Sequence, residues 1–298
     1  MKVGIFAPCQ VGDVITATAV LKHKDELWPG ADIVWFCNDP IADALKHAPV
    51  EVRPWPMDRG GWDFNQYLKL NMGLEGNTLD LEKAKEFDCT KDLDCGYFPL
   101  PWMISAEQRG PLAYPEVSRR IFGVDSQNWR PCLWHSDQER ETVREMMSTL
   151  PFKRTVLIEN SPCVYSSWDD GITNLLMKKC REHWGQVNFV FASGGKRSGN
   201  DMTRFFSEGC ISASHLTARQ VSLVNDHCDL FAGLAGALSY STSRWGAKPT
   251  PKLLFTGSHR LFPQGIANGR IEIVDGETYG HSPDEFERRL VKLIGEIA

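Results

Sequence analysis

Short apolar, β-branched runs alternate along this chain with stretches whose apolar positions recur every three or four residues. Residues 2–7 (KVGIFA) predict a buried strand, and residues 14–23 behind it are spaced as a helix. Residues 32–37 (DIVWFC) predict a second strand, 50–55 a third and 87–90 a fourth. Strands separated by helical stretches are β-α-β units, which imply parallel sheets. The segment 57–134 is otherwise rich in Gly, Pro and Trp and predicts long loops with short helices. The alternation then restarts. A polar helix is expected at 136–150, strands at 154–159 and 187–192, and a helix at 172–184. Further strands are expected at 210–212, 230–232, 252–256 and 271–274, with helices at 218–226 and 238–245. Ser282, Pro283 and Glu285 form the start signal of a last helix. Its stripe of Phe286, Leu290, Val291, Ile294 and Ile297 must bury, with the other domain as one candidate partner. Two successive β/α sets predict an α/β protein of two Rossmann-like domains, residues 1–151 and 152–298.

Composition narrows the class. With 42% hydrophobic and 24% charged residues in 298, the chain can bury real cores. A net charge of −5 argues against a broad nucleic-acid surface. No stretch reaches the roughly 18 apolar residues that a membrane span needs. The first eight residues lack a signal-peptide core and cleavage site, so a cytoplasmic protein is expected. Nine cysteines, an odd number without a C-x-x-C pair, read as reduced thiols. No Cys/His cluster has metal-ligand spacing, and neither a metal nor a cofactor is expected.

Three segments carry candidate chemistry. Gly12-Asp13 follows the first strand, where Gly12 permits a tight turn and Asp13 opens a helix. Asp13 is either a helix cap or a carboxylate at the ligand-binding end of a parallel sheet. Ser193-Gly194-Gly195-Lys196-Arg197 follows the strand VNFVFA, placing backbone amides and two cations where a phosphate can be met; an ordinary surface turn fits equally. In DLFAGLAGALSYS a strand runs into a helix through small residues. Gly236, Ser239 and Ser241 there can offer amides and hydroxyls to a diphosphate, or simply allow tight packing. Neither G-x-G-x-x-G nor a P-loop is present.

The run KVGIFAPCQVGDVITATAVLKHKDELWPGADIVWF resembles the opening of the family 9 glycosyltransferases, the ADP-heptose:lipopolysaccharide heptosyltransferases. LTARQ at 216–220 and DLFAGLAGALSYSTSRWGAKPT at 229–250 are similar to that family's nucleotide-sugar segment. The resemblance covers both ends and little of the middle. It implies a GT-B architecture, two Rossmann-like domains whose parallel sheets face a central cleft, the acceptor on the first and the donor on the second. It further implies an inverting, metal-independent transfer from a nucleotide-diphosphate sugar, ADP-heptose-like, to an acceptor hydroxyl. Asp13 would be the general base, its ionised form favoured by a helix N-terminus. Gly12, Asn160, Ser193, Gly194, Gly195, Lys196, Gly236, Ser239, Tyr240, Ser241 and Arg244 would hold the donor. The partners implied are the nucleotide sugar and a glycan or other hydroxyl acceptor.

The chain also departs from the family. Leu234-Ala235-Gly236-Ala237 stands where a polar acidic stretch is usual, and Tyr240 where a His is usual. Ser166-Ser167-Trp168 stands where a Lys commonly precedes the Trp. Either the donor differs from ADP-heptose, or Arg244, Lys196 or Arg197 supplies the missing charge, or the site is degenerate. The rival readings are a nucleotide-sugar or glycan-binding protein that has lost turnover, and a nucleotide-sugar epimerase. Asp92-x-Asp94 matches the metal–nucleotide motif of the other glycosyltransferase fold, but reads as part of a solvated acidic loop. His135, His215 and His227 are scattered, and Trp55, Trp62, Trp102, Trp129 and Trp134 are either core or a sugar-stacking wall.

Overall fold

The computed structural model describes residues 1–7, 11–37, 39, 41–54, 85, 87–97, 122–124, 129–159, 170–192, 207–256, 269–275 and 283–297. The chain divides into two compact units, Met1–Trp134 and His135–Ala298. The division falls before the helix at 137–148 rather than after it, unlike the boundary at 151/152 expected from sequence. That helix buries Val143 and Met147 in the core of the second unit.

In the first unit, β1 (Lys2–Phe6) leads to α1 (Val11–Ala17), which tightens into a 3-10 turn at Thr18–Lys22. The short helix α2 (Lys24–Leu27) precedes β2 (Asp32–Phe36), and β3 (Glu51–Arg53) and β4 (Cys95–Tyr97) complete the sheet. The order is β3-β2-β1-β4, with β2 parallel to β3 and β1 parallel to both its neighbours. The fourth strand thus lies after the 87–90 run expected to form it; Asp88–Thr90 is a 3-10 turn. Val3, Ile5, Phe6, Val14 and Ile15 are fully buried, and Phe6 stacks on Phe36 with ring centres 4.3 Å apart. Thr18 Oγ1 accepts from the Cys132 amide at 3.0 Å, tying the end of the unit to α1.

The second unit opens with α3 (Asp137–Ser148) and β5 (Arg154–Ile158), then α4 (Asp170–Trp184) and β6 (Val187–Phe191). There follow β7 (Cys210–Ser212), α5 (Ala218–Asn225), β8 (Leu230–Leu234), α6 (Ala237–Ser241), β9 (Lys252–Thr256), β10 (Ile271–Asp275) and α7 (Pro283–Glu296). All six strands pair in parallel in the order β10-β9-β8-β5-β6-β7. Successive strand residues point to opposite faces. Val156 and Ile158 pack with Ile172, Leu176, Phe286 and Leu290 on one face. Leu157 packs with Val143, Val221, Val224 and Leu238 on the other. Helices α4 and α7 therefore cover one face, and α3, α5 and α6 the other.

The stripe of α7 is taken up by its own unit, with Phe286, Leu290, Leu293 and Ile294 all buried in this core. Leu293 fills the place expected of Val291, which is exposed. Ser282 lies outside the described residues.

Two helix N-termini on the α3/α5 face are joined. Ser136 and Glu139 form a capping box on α3, and Thr217 and Gln220 form another on α5. Glu139 also takes both guanidinium nitrogens of Arg219, at 2.9 and 2.5 Å, and the Gln220 amide at 3.3 Å. Arg219 is fully buried, so this pair is water-excluded. Removing one partner of such a pair strands the other charge, which costs roughly 3–5 kcal/mol. Arg219→Met is therefore expected to lower the urea midpoint of the second unit, and adding Glu139→Gln should recover much of the loss. A single variant unfolding at the wild-type midpoint would show that the pair does not hold the helices.

Candidate functional site

In each unit the first strand is central, flanked on one side by the second strand and on the other by the fourth. The order β3-β2-β1-β4 places that divergence between β1 and β4; β7-β6-β5-β8-β9-β10 places it between β5 and β8. Connections from such neighbours leave to opposite faces, opening a crevice beyond the carboxyl ends of the strands. Two carboxylates follow these two strands.

In the first unit Asp13 lies in the first turn of α1, and Thr16 Oγ1 donates to the Gly12 carbonyl at 2.9 Å. Both Gly12 and Asp13 are partly exposed. Residues 8–10, which join this turn to β1, lie outside the described residues.

In the second unit Glu159 immediately follows β5, and its amide donates to the Ala232 carbonyl at 2.9 Å, the last rung between β5 and β8. Beyond that rung the Leu234 amide acts to favour the ionised Glu159 carboxyl, an effect that burial outweighs. Its Oε2 is buried and has no hydrogen-bond partner among the described residues. The residue is only 7% exposed. Burial pushes its carboxyl up to about 8, against an ordinary value of 4.5. Gly233 leaves room for it, since a Cβ there would stand 2.6 Å from the Glu159 Cβ. Sequence reasoning passed over Glu159 as the last residue of a strand. The available signal was an acidic residue ending an otherwise apolar run, next to the expected divergence.

Of the donor residues expected from sequence, Asn160, Ser193, Gly194, Gly195 and Lys196, with Arg197, lie outside the described residues. Gly236 is placed just beyond the carboxyl end of β8, with open space where a Cβ would stand. Ser239 Oγ accepts from the Gly236 amide at 3.0 Å and donates to the Gly236 carbonyl at 2.8 Å, so it closes the turn locally. Ser241 is fully buried and donates to the Leu238 carbonyl at 2.9 Å; Tyr240 is buried as well.

Arg244 is turned away from Gly236. It donates to Ser222 Oγ at 3.0 Å and pairs with Asp226, where the chain leaves α5 on its way to the start of β8. The charge expected of it toward a phosphate is engaged at the amino end of the sheet instead. Lys252, Asn225, Thr242 and Thr250 form a buried polar knot at the same end.

The remaining expectations resolve structurally. Asp92 pairs with Arg53 and with Lys2 Nζ at 2.7 Å, and Asp94 accepts from the Lys2 amide at 2.6 Å, so the D-x-D fastens β1, β3 and the approach to β4. Among the described residues, no group of three or more His, Cys, Asp or Glu is placed to hold a metal. Burial pushes the Cys37, Cys132 and Cys180 thiols up to about 12, the behaviour of inert core cysteines. His135 Nε2 lies 2.9 Å from the Arg219 carbonyl and 3.1 Å from Ser222 Oγ, and burial lowers its titration to about 4. Trp129 is core, 6.0 Å from Phe122 in a run of rings with Trp28 and Tyr97. Trp55, Trp62 and Trp102 lie outside the described residues.

No family model and no curated protein sequence matches the chain. Solved structures do. A family 9 glycosyl transferase from Veillonella parvula aligns over 99% of this chain and 96% of its own, at 12% identity and a TM-score of 0.70. The ADP-heptose LPS heptosyltransferase II of E. coli aligns over 100% and 98%, at 15% identity and a TM-score of 0.65. The E. coli heptosyltransferase WaaC with ADP aligns over the whole of both chains, at 15% identity and a TM-score of 0.59. At these identities the likeness is one of fold: two parallel α/β units of the GT-B type.

Glu159 carries a stability cost whose sign is fixed by its shift. The folded state holds the proton up to about pH 8, whereas the unfolded chain releases it near 4.5. Stability from this group is complete below pH 4.5, falls as pH rises toward 8 and is level above it. Between those limits the slope is about 1.4 kcal/mol per pH unit. Glu159→Gln removes the titration, so its stability advantage over wild type should widen from pH 5 to pH 8 in paired urea titrations. A constant difference across that range would show that the carboxyl titrates normally.

Proposed function

We propose that the protein is a glycosyltransferase that moves a sugar from a nucleotide-diphosphate sugar to an acceptor hydroxyl, with Asp13 as the general base. The observation that supports this most directly is the placement of Asp13 in the first turn of the helix that follows the central first strand, in a fold shared over the full chain with glycosyltransferases. The ADP-heptose named for one neighbour makes an ADP-sugar the first donor to test.

In the proposed reaction the acceptor oxygen attacks the anomeric carbon as its proton passes to the Asp13 carboxylate. The bond from that carbon to the diphosphate breaks, and the nucleoside diphosphate leaves. A single displacement of this kind inverts the anomeric configuration. General-base assistance contributes typically 10²–10⁴-fold, because the hydroxyl becomes acidic only as the new bond forms. The first unit supplies the base, and the second holds the nucleotide at the carboxyl end of its sheet, where Gly236 lies open. We infer further that transfer needs no divalent metal, since the aspartates of the D-x-D are engaged by Arg53 and Lys2. The binding-only reading draws on a different observation: Ser239, Ser241 and Arg244 are all engaged within the unit.

Incubation with a panel of ADP-, UDP- and GDP-sugars and hydroxyl acceptors, with products identified by mass and by anomeric NMR coupling, tests the assignment. Transfer with inversion that survives EDTA is expected. Asp13→Asn should lower the rate by about 10²–10⁴-fold while nucleoside-diphosphate affinity stays within about twofold. Full transfer by a folded Asp13→Asn protein would remove that residue from the mechanism. Donor binding without any turnover would favour the binding-only reading.

A further inference from the structure

We infer that Glu159 is a ligand-contacting residue of the nucleotide site proposed for the second unit, its unpartnered carboxyl oxygen hydrogen-bonding as a neutral acid to an anionic oxygen of a nucleoside diphosphate. The inference rests on the nucleotide reading above and adds a residue to it.

Position comes first. Glu159 stands where β5 ends and where β5 and β8 diverge, at the opening of the crevice in which ligands of open parallel sheets gather. Its main chain makes the last rung to β8, and the Leu234 amide acts on its carboxyl. Oε2 is shielded from solvent without a partner among the described residues. A buried polar atom left unsatisfied costs roughly 1–3 kcal/mol, so each such atom calls for a reason.

Its surroundings offer no compensation within the sheet. The flanking strands β6 (VNFVF) and β8 (LFAGL) carry no titratable side chain, and the other charged residue of β5, Arg154, stands at its opposite end. Arg154 is directed to Asp229. The Leu234 amide does not require an acid, since a Gln carbonyl would face it without the cost of burying an ionisable group. Neither does the volume, which a Met would fill. The backbone also accommodates this side chain specifically, through the missing Cβ of Gly233. A strained or costly group at a strand divergence is the pattern expected of a binding site.

The chemistry selects the ligand. A carboxylic acid that keeps its proton donates through its O–H and adds no negative charge, so it suits the oxygen of a phosphate, which an ionised carboxylate would repel. The ligand anion in turn favours the protonated acid.

The test measures affinities for ADP, UDP and GDP by calorimetry at pH 7, with the melting temperature of each unliganded variant beside them. Wild type should bind at least one diphosphate. Glu159→Gln, which keeps a neutral donor, should bind it within about threefold. Glu159→Met should bind it on the order of tenfold more weakly, the loss of one hydrogen bond to a charged group, without a lower unliganded melting temperature. If the Met variant unfolds, Glu159→Asp carries the same expectation, because it draws the acid back by one methylene. Wild-type affinity in the Met or Asp variant would overturn the role of Glu159 and leave the nucleotide site standing. A wild-type protein that binds none of the three diphosphates would overturn the nucleotide site, and this contact with it.

Discussion

Both halves of this molecule are governed by one constraint: the chain enters each parallel sheet at its middle. A central first strand must have its second strand on one side and its fourth on the other, so the connections diverge to opposite faces. The segments that follow β1 and β5 therefore leave each sheet at the end where ligands of open parallel sheets gather. That two acidic residues, Asp13 and Glu159, occupy these positions is a consequence of topology acting on sequence, and the chemistry proposed for each follows from where its strand stops.

The ends of the second sheet are built for different work. At the amino end Arg244, Asp226, Lys252, Asn225 and Thr250 are bonded to one another and to the backbone, fixing the return from α6 to β9. On the α3/α5 face Glu139 serves a capping box, an ion pair and a neighbouring box together. These bonds make the groups supports, although Asn225 Oδ1 is itself buried without a partner among the described residues. At the carboxyl end Glu159 Oε2 is buried without a partner among the described residues, and a Cβ at Gly236 would meet open space.

That distinction revises what each cation and carboxylate contributes. Arg244 looked available for a phosphate by its distance from Gly236 along the chain, but α6 is too short to keep it near that turn, and Asp226 captures it. Asp92 and Asp94 looked like a metal motif by spacing, but they brace the strands of the first sheet. In both cases the opposite charge that captures the group was far away in sequence, 18 residues for Arg244 with Asp226, and 39 and 90 for Asp92 with Arg53 and Lys2.

Local pattern determined a great deal here. Apolar runs located β1, β2, β5, β6, β8, β9 and β10, because burial periodicity is decided within a few residues. The repeat of β/α units fixed the class as α/β, and Gly12-Asp13 pointed to the turn after β1. Other features had no local signature. Whether α3 belonged to the first or second unit depended on Val143 and Met147 finding a core, and the burial of Leu293 in place of Val291 depended on how α7 lies against β9 and β10. The unusual state of Glu159 required β8 to lie beside β5, so that one backbone amide came within reach, water was excluded and Gly233 yielded space. Periodicity sets which face of an element is buried; only the packed sheet decides what a buried acid has left to bind.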